Sequence, residues 1–417
     1  MIHRGITIGL VLMLCMCLVT VACSQNKDEK LQNAQEWFEK GGDAYAMGDY
    51  EKAIEYWTKT IELNPEHDKA FFNRAVVYGT LARYEEAIED YTKTIELDPE
   101  CVSAYYNRGI VYNDLGRSDE AITDYTKAIE LDPEYVEAYY NRGTTYRDLG
   151  RYDDAIADFT RAIELNPEYV DAYNNRGGIY KDLGRSDEAI VDYTKAIELD
   201  PEFTSAYYNR GIVYNGLGRY DEAIADYTKF IDLDSEFTIA YDNRGNAYKM
   251  LSRYDEAIAD YTKAIELDPE YVSAYNNRGS AYTDLGRYDE AIADYTKAIV
   301  LDPWFSMAYC NRGVVYMNLD RYDDAIADYT KAIELDPEYG DAYTGRGIVY
   351  YNLGRFDDAI SDYVKAIELN PGSALLYYNR GIAYYLQGSI DKALVDFETA
   401  CDMGHETACE NLEKLGE

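Results

Sequence analysis

The sequence has few of the residues on which enzyme and metal chemistry most often depend. Among its 417 residues there are three histidines, His3, His67 and His405. It contains no Gly-x-Ser-x-Gly nucleophile motif, no phosphate-binding loop, no His-Glu-x-x-His zinc motif and no Cys-x-x-Cys pair. We therefore predict no catalytic residue, no metal site and no cofactor, and we expect that the protein is not an enzyme.

Basic residues are also scarce, because 40 Lys and Arg stand against 78 Asp and Glu. The resulting net charge of −38 repels polyanions, which argues against nucleic acid or an anionic bilayer surface as a direct partner. An acidic chain can be disordered, but 47% hydrophobic and 14% aromatic residues supply the material for a large core.

Proline is rare and regularly spaced. The nine prolines are separated by 34 residues, or once by 68, and Ser235 stands where the missing proline would be. A fixed period of this length predicts an array of one repeated unit rather than a set of unlike domains. With proline at position 32, eleven units begin at Ala34, Asp68, Val102, Val136, Val170, Thr204, Thr238, Val272, Ser306, Gly340 and Ala374.

Each unit has the pattern of two amphipathic helices joined by a turn. In residues 272–305, Tyr275, Gly279 and Tyr282 share one face of a first helix, and Ala291, Tyr295 and Ala298 share one face of a second. Glycine at position 8 and alanine at position 20 allow the two backbones to approach closely. Gly286 is expected in a left-handed conformation after the first helix, and Pro303 ends the second.

These positions resemble the tetratricopeptide repeat (TPR). The resemblance implies an all-α fold, a right-handed α-α superhelix of eleven 34-residue helix-turn-helix repeats with a C-terminal capping helix. It also implies a protein that binds other proteins or extended peptides in its concave groove. We divide the chain into a signal-like segment (1–22), a polar tether (23–33), the repeats (34–403) and the capping helix (404–417).

An arginine at position 7 and an aspartate at position 23 occur together. Repeats 2–11 have both, from Arg74 and Asp90 to Arg380 and Asp396, whereas repeat 1 has Lys40 and Tyr56. Their joint presence predicts a bidentate ion pair between the two helices of each unit.

Repeat 6 departs from the pattern. Phe230 replaces the small residue at position 27, and Ser235 replaces the proline. We expect either a local change of superhelical pitch near residues 230–240 or accommodation of the ring without one.

Position 6 carries the clearest functional signal, because it is asparagine in nine repeats. In the TPR family this position faces the groove, and the row resembles the asparagine ladder of superhelical peptide binders. An amide can pair with a peptide backbone in both directions. The alternative is that each amide bonds to the neighbouring helix. The row consists of Asn73, Asn107, Asn141, Asn175, Asn209, Asn243, Asn277, Asn311 and Asn379.

Position 5 is predicted to contribute specificity in the same groove, with Tyr106, Tyr140 and Tyr208 as contacts. The groove should be apolar at its two ends and polar around repeats 4, 5 and 7. A neutral or basic extended partner is favoured, because only Lys69 fits the terminal-carboxylate clamp of the chaperone-binding members. Two alternatives are an envelope-assembly lipoprotein, for a pilus or for outer-membrane biogenesis, and a polysaccharide or peptidoglycan binder that uses these tyrosines with Tyr378.

The N-terminus has the form of a secretory signal. A basic start at Arg4 precedes an apolar run from Gly5 to Ala22, and the residues before Cys23 resemble a bacterial lipobox. This resemblance implies cleavage before Cys23, lipidation of that residue, and an exported, membrane-anchored lipoprotein, at the outer membrane if the host has one. The alternative is an uncleaved signal anchor.

The C-terminal end departs from the repeat after Ala400 and resembles Sel1-like repeats. Cys401 and Cys409 could form a disulfide in an oxidising compartment, remain free thiols, or bind a metal with His405. Cys101 and Cys310 are expected to stay unpaired.

Overall fold

The computed structural model describes residues 27 and 29–416, and in this part of the chain every regular element is an α-helix. The chain divides into two compact units, of which one ends at Pro201 and the other begins at Glu202. The predicted signal segment and Cys23 lie outside the described residues.

The first unit contains the helices of repeats 1–5. They are α1 (29–46), α2 (Tyr50–Leu63), α3 (Asp68–Thr80), α4 (Tyr84–Leu97), α5 (Val102–Asp114), α6 (Ser118–Leu131), α7 (Val136–Asp148), α8 (Tyr152–Leu165), α9 (Val170–Asp182) and α10 (Ser186–Leu199).

The second unit contains the helices of repeats 6–11 and one further helix. They are α11 (Thr204–Gly216), α12 (Tyr220–Leu233), α13 (Thr238–Met250), α14 (Tyr254–Leu267), α15 (Val272–Asp284), α16 (Tyr288–Leu301), α17 (Ser306–Asn318), α18 (Tyr322–Leu335), α19 (Gly340–Asn352), α20 (Phe356–Leu369), α21 (Ala374–Gln387), α22 (Ile390–Asp402) and α23 (Glu406–Gly416). The predicted all-α TPR solenoid is confirmed.

The helix boundaries follow the repeat. After each first helix, position 15 has positive φ, as in Gly286 at 71°, and Ala82, Ser252 and Asp320 adopt the same conformation without being glycine. In repeats 2–10 the second helix starts with two acids in its first turn, where they interact favourably with the helix dipole. It ends at an extended Asp or Asn such as Asp302, whose carboxylate accepts the N–H of Trp304.

The core of each repeat is built from contacts between very small and aromatic residues. Alanine at position 20 is fully buried throughout, and the aromatic residue at position 24 is nearly so. A Cβ atom added at Gly245 would lie 2.7 Å from Cε1 of Tyr261, so the glycine leaves room for that ring. The predicted close approach of the two helices therefore takes the form of an aromatic ring of the second helix packed against the backbone of the first.

The predicted Arg–Asp pairs are confirmed in all ten repeats that contain them. Arg108 donates from Nε and Nη2 to the two carboxylate oxygens of Asp124, at 2.7 and 2.8 Å. Both side chains are largely buried, with 15% and 5% of their surface exposed. The geometry is the bidentate fork in which arginine and carboxylate match best.

Each arginine of repeats 2–5 and 7–10 also reaches the preceding repeat. Arg108 Nη1 donates to Thr92 Oγ1 at 2.9 Å, and the corresponding bonds recur from Arg74 to Arg346. The guanidinium of Arg108 also lies 5.9 and 5.7 Å from the ring centroids of Tyr105 and Tyr112. One arginine therefore links three helices, namely its own, the second helix of its repeat and the second helix of the repeat before.

Repeat 6 keeps the boundaries of the other repeats. Phe230 is buried and forms a cluster with Tyr208 and Phe237, whose ring centroids lie 5.2 and 5.4 Å from that of Phe230. Helix α12 ends at Leu233 and α13 begins at Thr238, in the same register as elsewhere. The helix boundaries around Phe230 are therefore unchanged by its ring, and a change of superhelical pitch stays a prediction.

The two ends differ in part from their sequence boundaries. Residues 29–33 of the predicted polar tether are helical and form the start of α1. At the other end α23 packs Ala408, Leu412 and Leu415 against Phe397 and its neighbours. Its start is capped by His405, whose Nδ1 accepts the N–H of Ala408 at 3.2 Å.

The four cysteines in the described part fall into two classes. A disulfide joins Cys401 on α22 to Cys409 on α23. Cys101 and Cys310 are free thiols, as expected. Because both sulfur atoms are joined in the disulfide, the arrangement differs from the Cys-His-Cys metal alternative.

We predict that Asp396→Ala destabilises the last repeat by roughly 3–5 kcal/mol, because it leaves the buried guanidinium of Arg380 without its carboxylate. Hydrogen exchange of α21 and α22 measures this effect locally, which suits an array whose repeats can open separately. Glu398→Ala, an exposed change on the same helix, is the control and should stay within about 0.5 kcal/mol of wild type. Equal protection in the two variants would contradict a structural role for the pair.

Candidate functional site

The candidate site is the face of the first helices that carries the side chains at positions 2, 5, 6 and 9, here called the A face. The asparagine row and the predicted tyrosine contacts lie on it. Successive turns of an α-helix bring these positions to one side.

Most of the asparagines with described bonds donate to the preceding repeat. Asn141 Nδ2 donates to Tyr106 Oη at 2.8 Å and Asn175 Nδ2 to Tyr140 Oη at 2.9 Å in the first unit. In the second unit Asn243 Nδ2 donates to Tyr208 Oη at 3.2 Å. The acceptor is always the position-5 side chain 35 residues earlier, so the amide connects adjacent first helices.

The same rule holds where position 5 is not tyrosine. Asn277 Nδ2 donates to Asp242 Oδ1, and Asn311 Nδ2 donates to Asn276 Oδ1, both at 3.0 Å. Asn209 occupies the same place on α11. These bonds match the alternative that each amide of the row joins the neighbouring helix. A role of the amides in binding a peptide stays a prediction.

Three asparagines of the row form no side-chain hydrogen bond within the described residues, namely Asn73, Asn107 and Asn379. The preceding position 5 explains this difference. Phe38 and Phe72 have no acceptor atom, and the short side chain of Thr344 lies against its own helix, where its hydroxyl donates to the carbonyl of Gly340. The sequence pattern alone presents the row as uniform. The residue type at position 5 of the preceding repeat is the signal that separates the bonded asparagines from the unbonded ones.

Two of these unbonded amides line apolar cavities. Asn73 lies at a cavity of about 360 Å³ with Tyr45, Trp57, Phe72 and Val76. The amide of Asn73 has no internal partner among the described residues and lies beside aromatic and aliphatic side chains. It can therefore bond a polar group of a ligand while the cavity holds an apolar group of the same ligand.

Asn379 lies at a corresponding cavity of about 310 Å³ in the second unit. The lining includes Ile348, Tyr351, Tyr378 and Ile382. A neighbouring cavity of about 350 Å³ shares Tyr351 and Ile382 and extends along α21 and α23 to Leu386, Lys414 and Leu415. The A face of repeats 10 and 11 therefore continues onto the C-terminal helix.

The position-5 tyrosines are packed rather than open. Tyr106 and Tyr140 lie with their ring centroids 4.8 Å from those of Tyr135 and Tyr169. Burial raises the pKa of Tyr106, Tyr140 and Tyr208. Tyr378 is stacked on His405 at 4.3 Å. Because neighbouring rings cover one side of these tyrosines, the geometry disfavours them as sugar-stacking platforms.

The two histidines of the described part act as helix caps. His67 accepts the Ala70 N–H as a helix cap, as His405 does for Ala408. In residues 27 and 29–416 no three His, Cys, Asp or Glu side chains are grouped so that they could hold a metal ion. Over the same residues, no helix has both the length and the apolar character needed to cross a membrane.

Gly345 interrupts the asparagine row, and the ring of Tyr329 fills the space beside it. A Cβ atom at this position would lie 2.5 Å from Cζ of Tyr329 on α18. The ring of Tyr329 is fully buried, and its hydroxyl has no hydrogen-bond partner among the described atoms. The glycine thus makes room for a core tyrosine of the preceding repeat.

We predict that Gly345→Asn, which completes the row, destabilises repeats 9 and 10 by about 1–3 kcal/mol, because the new side chain overlaps Tyr329. Gly178→Asn is the matched control, since a Cβ there meets its nearest atom, Tyr193 Oη, at 3.8 Å. Hydrogen exchange of α18 and α19 measures the first effect and that of α9 the second. A loss of protection no greater in Gly345→Asn than in the control would contradict the packing argument.

Comparison with known families agrees with the repeat register. Models of the tetratricopeptide repeat match residues 34–67, 68–101, 102–135, 136–169, 170–203, 204–237, 272–305, 306–339 and 328–361, and a further TPR model matches 245–285 and 349–388. A curated relative, an uncharacterised protein of Methanocaldococcus jannaschii, is 43% identical over 56 residues, which are 13% of this chain. The chain spans 65% of that relative's length.

Several solved structures are similar to the chain. Yeast Tom70 is 19% identical with a TM-score of 0.47, covering 92% of this chain and 96% of Tom70. The MamA protein is 33% identical with a TM-score of 0.37, covering 41% of this chain and 93% of MamA. YrrB, described as a TPR protein with an unusual peptide-binding site, is 28% identical with a TM-score of 0.38, covering 45% of this chain and 97% of YrrB. Because the tetratricopeptide-repeat model alone matches more than half of the residues, the chain belongs to the tetratricopeptide-repeat family.

Proposed function

We propose that this protein is an exported, lipid-anchored scaffold whose A face binds a protein or an extended peptide. The observation that carries the binding role is the pair of unbonded amides, Asn73 and Asn379, each beside an apolar cavity. Such a site can hold a partner's side chain in the cavity and its backbone at the amide.

The distribution of bonded and unbonded amides supports this role. Where an asparagine is used to join repeats, its loss should affect stability. Where it has no internal partner, its loss should affect only what binds from outside. The two groups therefore give variants that separate folding from recognition within one row of identical residues.

We expect peptides selected on the full chain in detergent from a random library to depend on Asn73 or Asn379. Asn73→Ala or Asn379→Ala should weaken the peptides bound at that site by about tenfold, the effect of losing one or two hydrogen bonds. Neither change should alter the melting temperature. Affinity is measured by titration calorimetry and stability by thermal unfolding.

Asn141→Ala and Asn107→Ala complete the comparison. Asn141→Ala removes the bond to Tyr106 and should lower stability by about 0.5–1.5 kcal/mol, whereas Asn107→Ala should not. Failure to select any peptide, or peptides indifferent to both Asn73→Ala and Asn379→Ala, would contradict the proposed site.

The export and anchoring part of the proposal is supported by the residues before Cys23, which lie outside the described part of the chain. Labelled palmitate should be incorporated into the wild-type chain in a bacterial host and not into Cys23→Ser. Fractionation should place the wild type with membranes and the variant in the extracytoplasmic soluble fraction. Equal labelling of both proteins would refute lipidation at Cys23.

A further inference from the structure

A hydrogen-bond network unlike any other in the described residues crosses the A face of repeats 7–9. It centres on Asp242, which occupies position 5 of α13, where repeats 3, 4, 6 and 11 have tyrosine. Only 5% of the surface of Asp242 is exposed. Asn277 Nδ2 donates to its Oδ1 at 3.0 Å and Asn246 Nδ2 to its Oδ2 at 3.1 Å.

Two chains of hydrogen bonds lead toward this carboxylate. On one side Tyr261 Oη donates to Asn246 Oδ1 at 2.8 Å. On the other side Asn311 donates to Asn276 at 3.0 Å, and Asn276 donates to Asn277 at 3.3 Å. Asn246 and Asn277 thus each commit one amide N–H to the carboxylate, while Asn276 also donates to Met307 Sδ at 3.8 Å.

The carboxylate has no cationic partner among the described residues. Lys249, two turns along the same helix, contacts Ser280 Oγ at 2.6 Å and Asp284 at 3.6 Å. Arg244 is paired with Asp260. The other titratable groups near Asp242 are the hydroxyls of Tyr208, Tyr261 and Tyr271, from α11, α14 and the turn before α15.

This arrangement is costly for the folded chain. Burial raises the pKa of Asp242 against the lowering effect of the bonds from Asn277 and Asn246. A buried charge is ordinarily matched by an opposite charge, and here the two neutral amides are the only donors the structure places at the carboxylate.

We propose that Asp242 is a cation subsite of the A face, at which the ammonium or guanidinium group of a partner's lysine or arginine replaces one of the two amide donors. The exchange substitutes a charged donor for a neutral one, and charge-assisted hydrogen bonds are roughly twice as strong. The displaced asparagine amide becomes free to bond the partner's backbone carbonyl beside that side chain. This subsite rests on the proposed function and identifies its partner as a basic extended segment.

A cation can be tested without any peptide. Hydrogen exchange of α13 and α15 in the full chain is compared in n-butylammonium chloride and in sodium chloride of equal ionic strength. The butylammonium ion should slow exchange in the wild type and not in Asp242→Asn. Asp341→Asn, which removes an exposed carboxylate of the same unit, is the control and should behave as the wild type.

Stability provides a check that Asp242→Asn is folded. Because the folded-state pKa of Asp242 is raised, its carboxyl favours folding most below the unfolded pKa, and that contribution is lost as the pH rises through the folded pKa. Asp242→Asn should therefore be more stable than the wild type at neutral pH, and the difference should shrink on acidification. The amides of Asn246 and Asn277 can reorient to bond the new side chain.

Peptide selection gives the second measurement. Among the peptides selected on the wild-type chain, those that bind to repeats 7–9 should share a lysine or arginine at one position. Their affinity should fall by about tenfold or more in Asp242→Asn and not in Asp341→Asn.

The possible outcomes separate the two proposals. Selected peptides without a shared cation, together with equal butylammonium effects in all three proteins, would overturn the cation subsite and leave peptide binding intact. Butylammonium protection specific to Asp242, with no peptide selected, would support the subsite and remove the proposed peptide-binding function. Absence of both effects would overturn both.

Discussion

The buried arginine at position 7 is the interaction on which the rest of the fold depends. Each guanidinium is held by a carboxylate on the second helix of its own repeat and, in most repeats, by a threonine of the repeat before. A charge buried in this way requires all of its partners, since an unsatisfied group costs far more than a satisfied one gains. The arginine therefore fixes the relative position of three helices, while apolar contacts alone would leave some freedom to slide.

The aromatic packing depends on the same geometry. Tyrosine at position 24 lies against the glycine of position 8, where an added Cβ would overlap it, and the rings at positions 4 and 11 flank the guanidinium. These tyrosines are core residues, which also explains why a chain with so many exposed acids folds. The acids lie largely in first turns and in short ion pairs such as Arg287 with Glu290, and these add solubility and a little stability.

The A face shows how one repeated residue acquires different roles. Asparagine at position 6 joins neighbouring repeats where position 5 before it offers an oxygen, and it remains unbonded where that residue is phenylalanine. Asp242 turns the same pairing into a buried carboxylate without a counter-ion. A small substitution that breaks the internal pairing leaves hydrogen-bonding capacity on the A face, and the proposed binding role rests on this capacity.

The 34-residue period by itself determined the helices, their boundaries, the family and the ten Arg–Asp pairs, because local periodicity and turn chemistry repeat in every unit. It also predicted which helix face carries the asparagine row. Only the tertiary structure decided which asparagines are bonded, that Tyr329 fills the space beside Gly345, and that Asp242 is buried without a cation among the described residues. These features depend on contacts between residues about one repeat apart, and a pattern read within one repeat contains no information about which side chains meet across two.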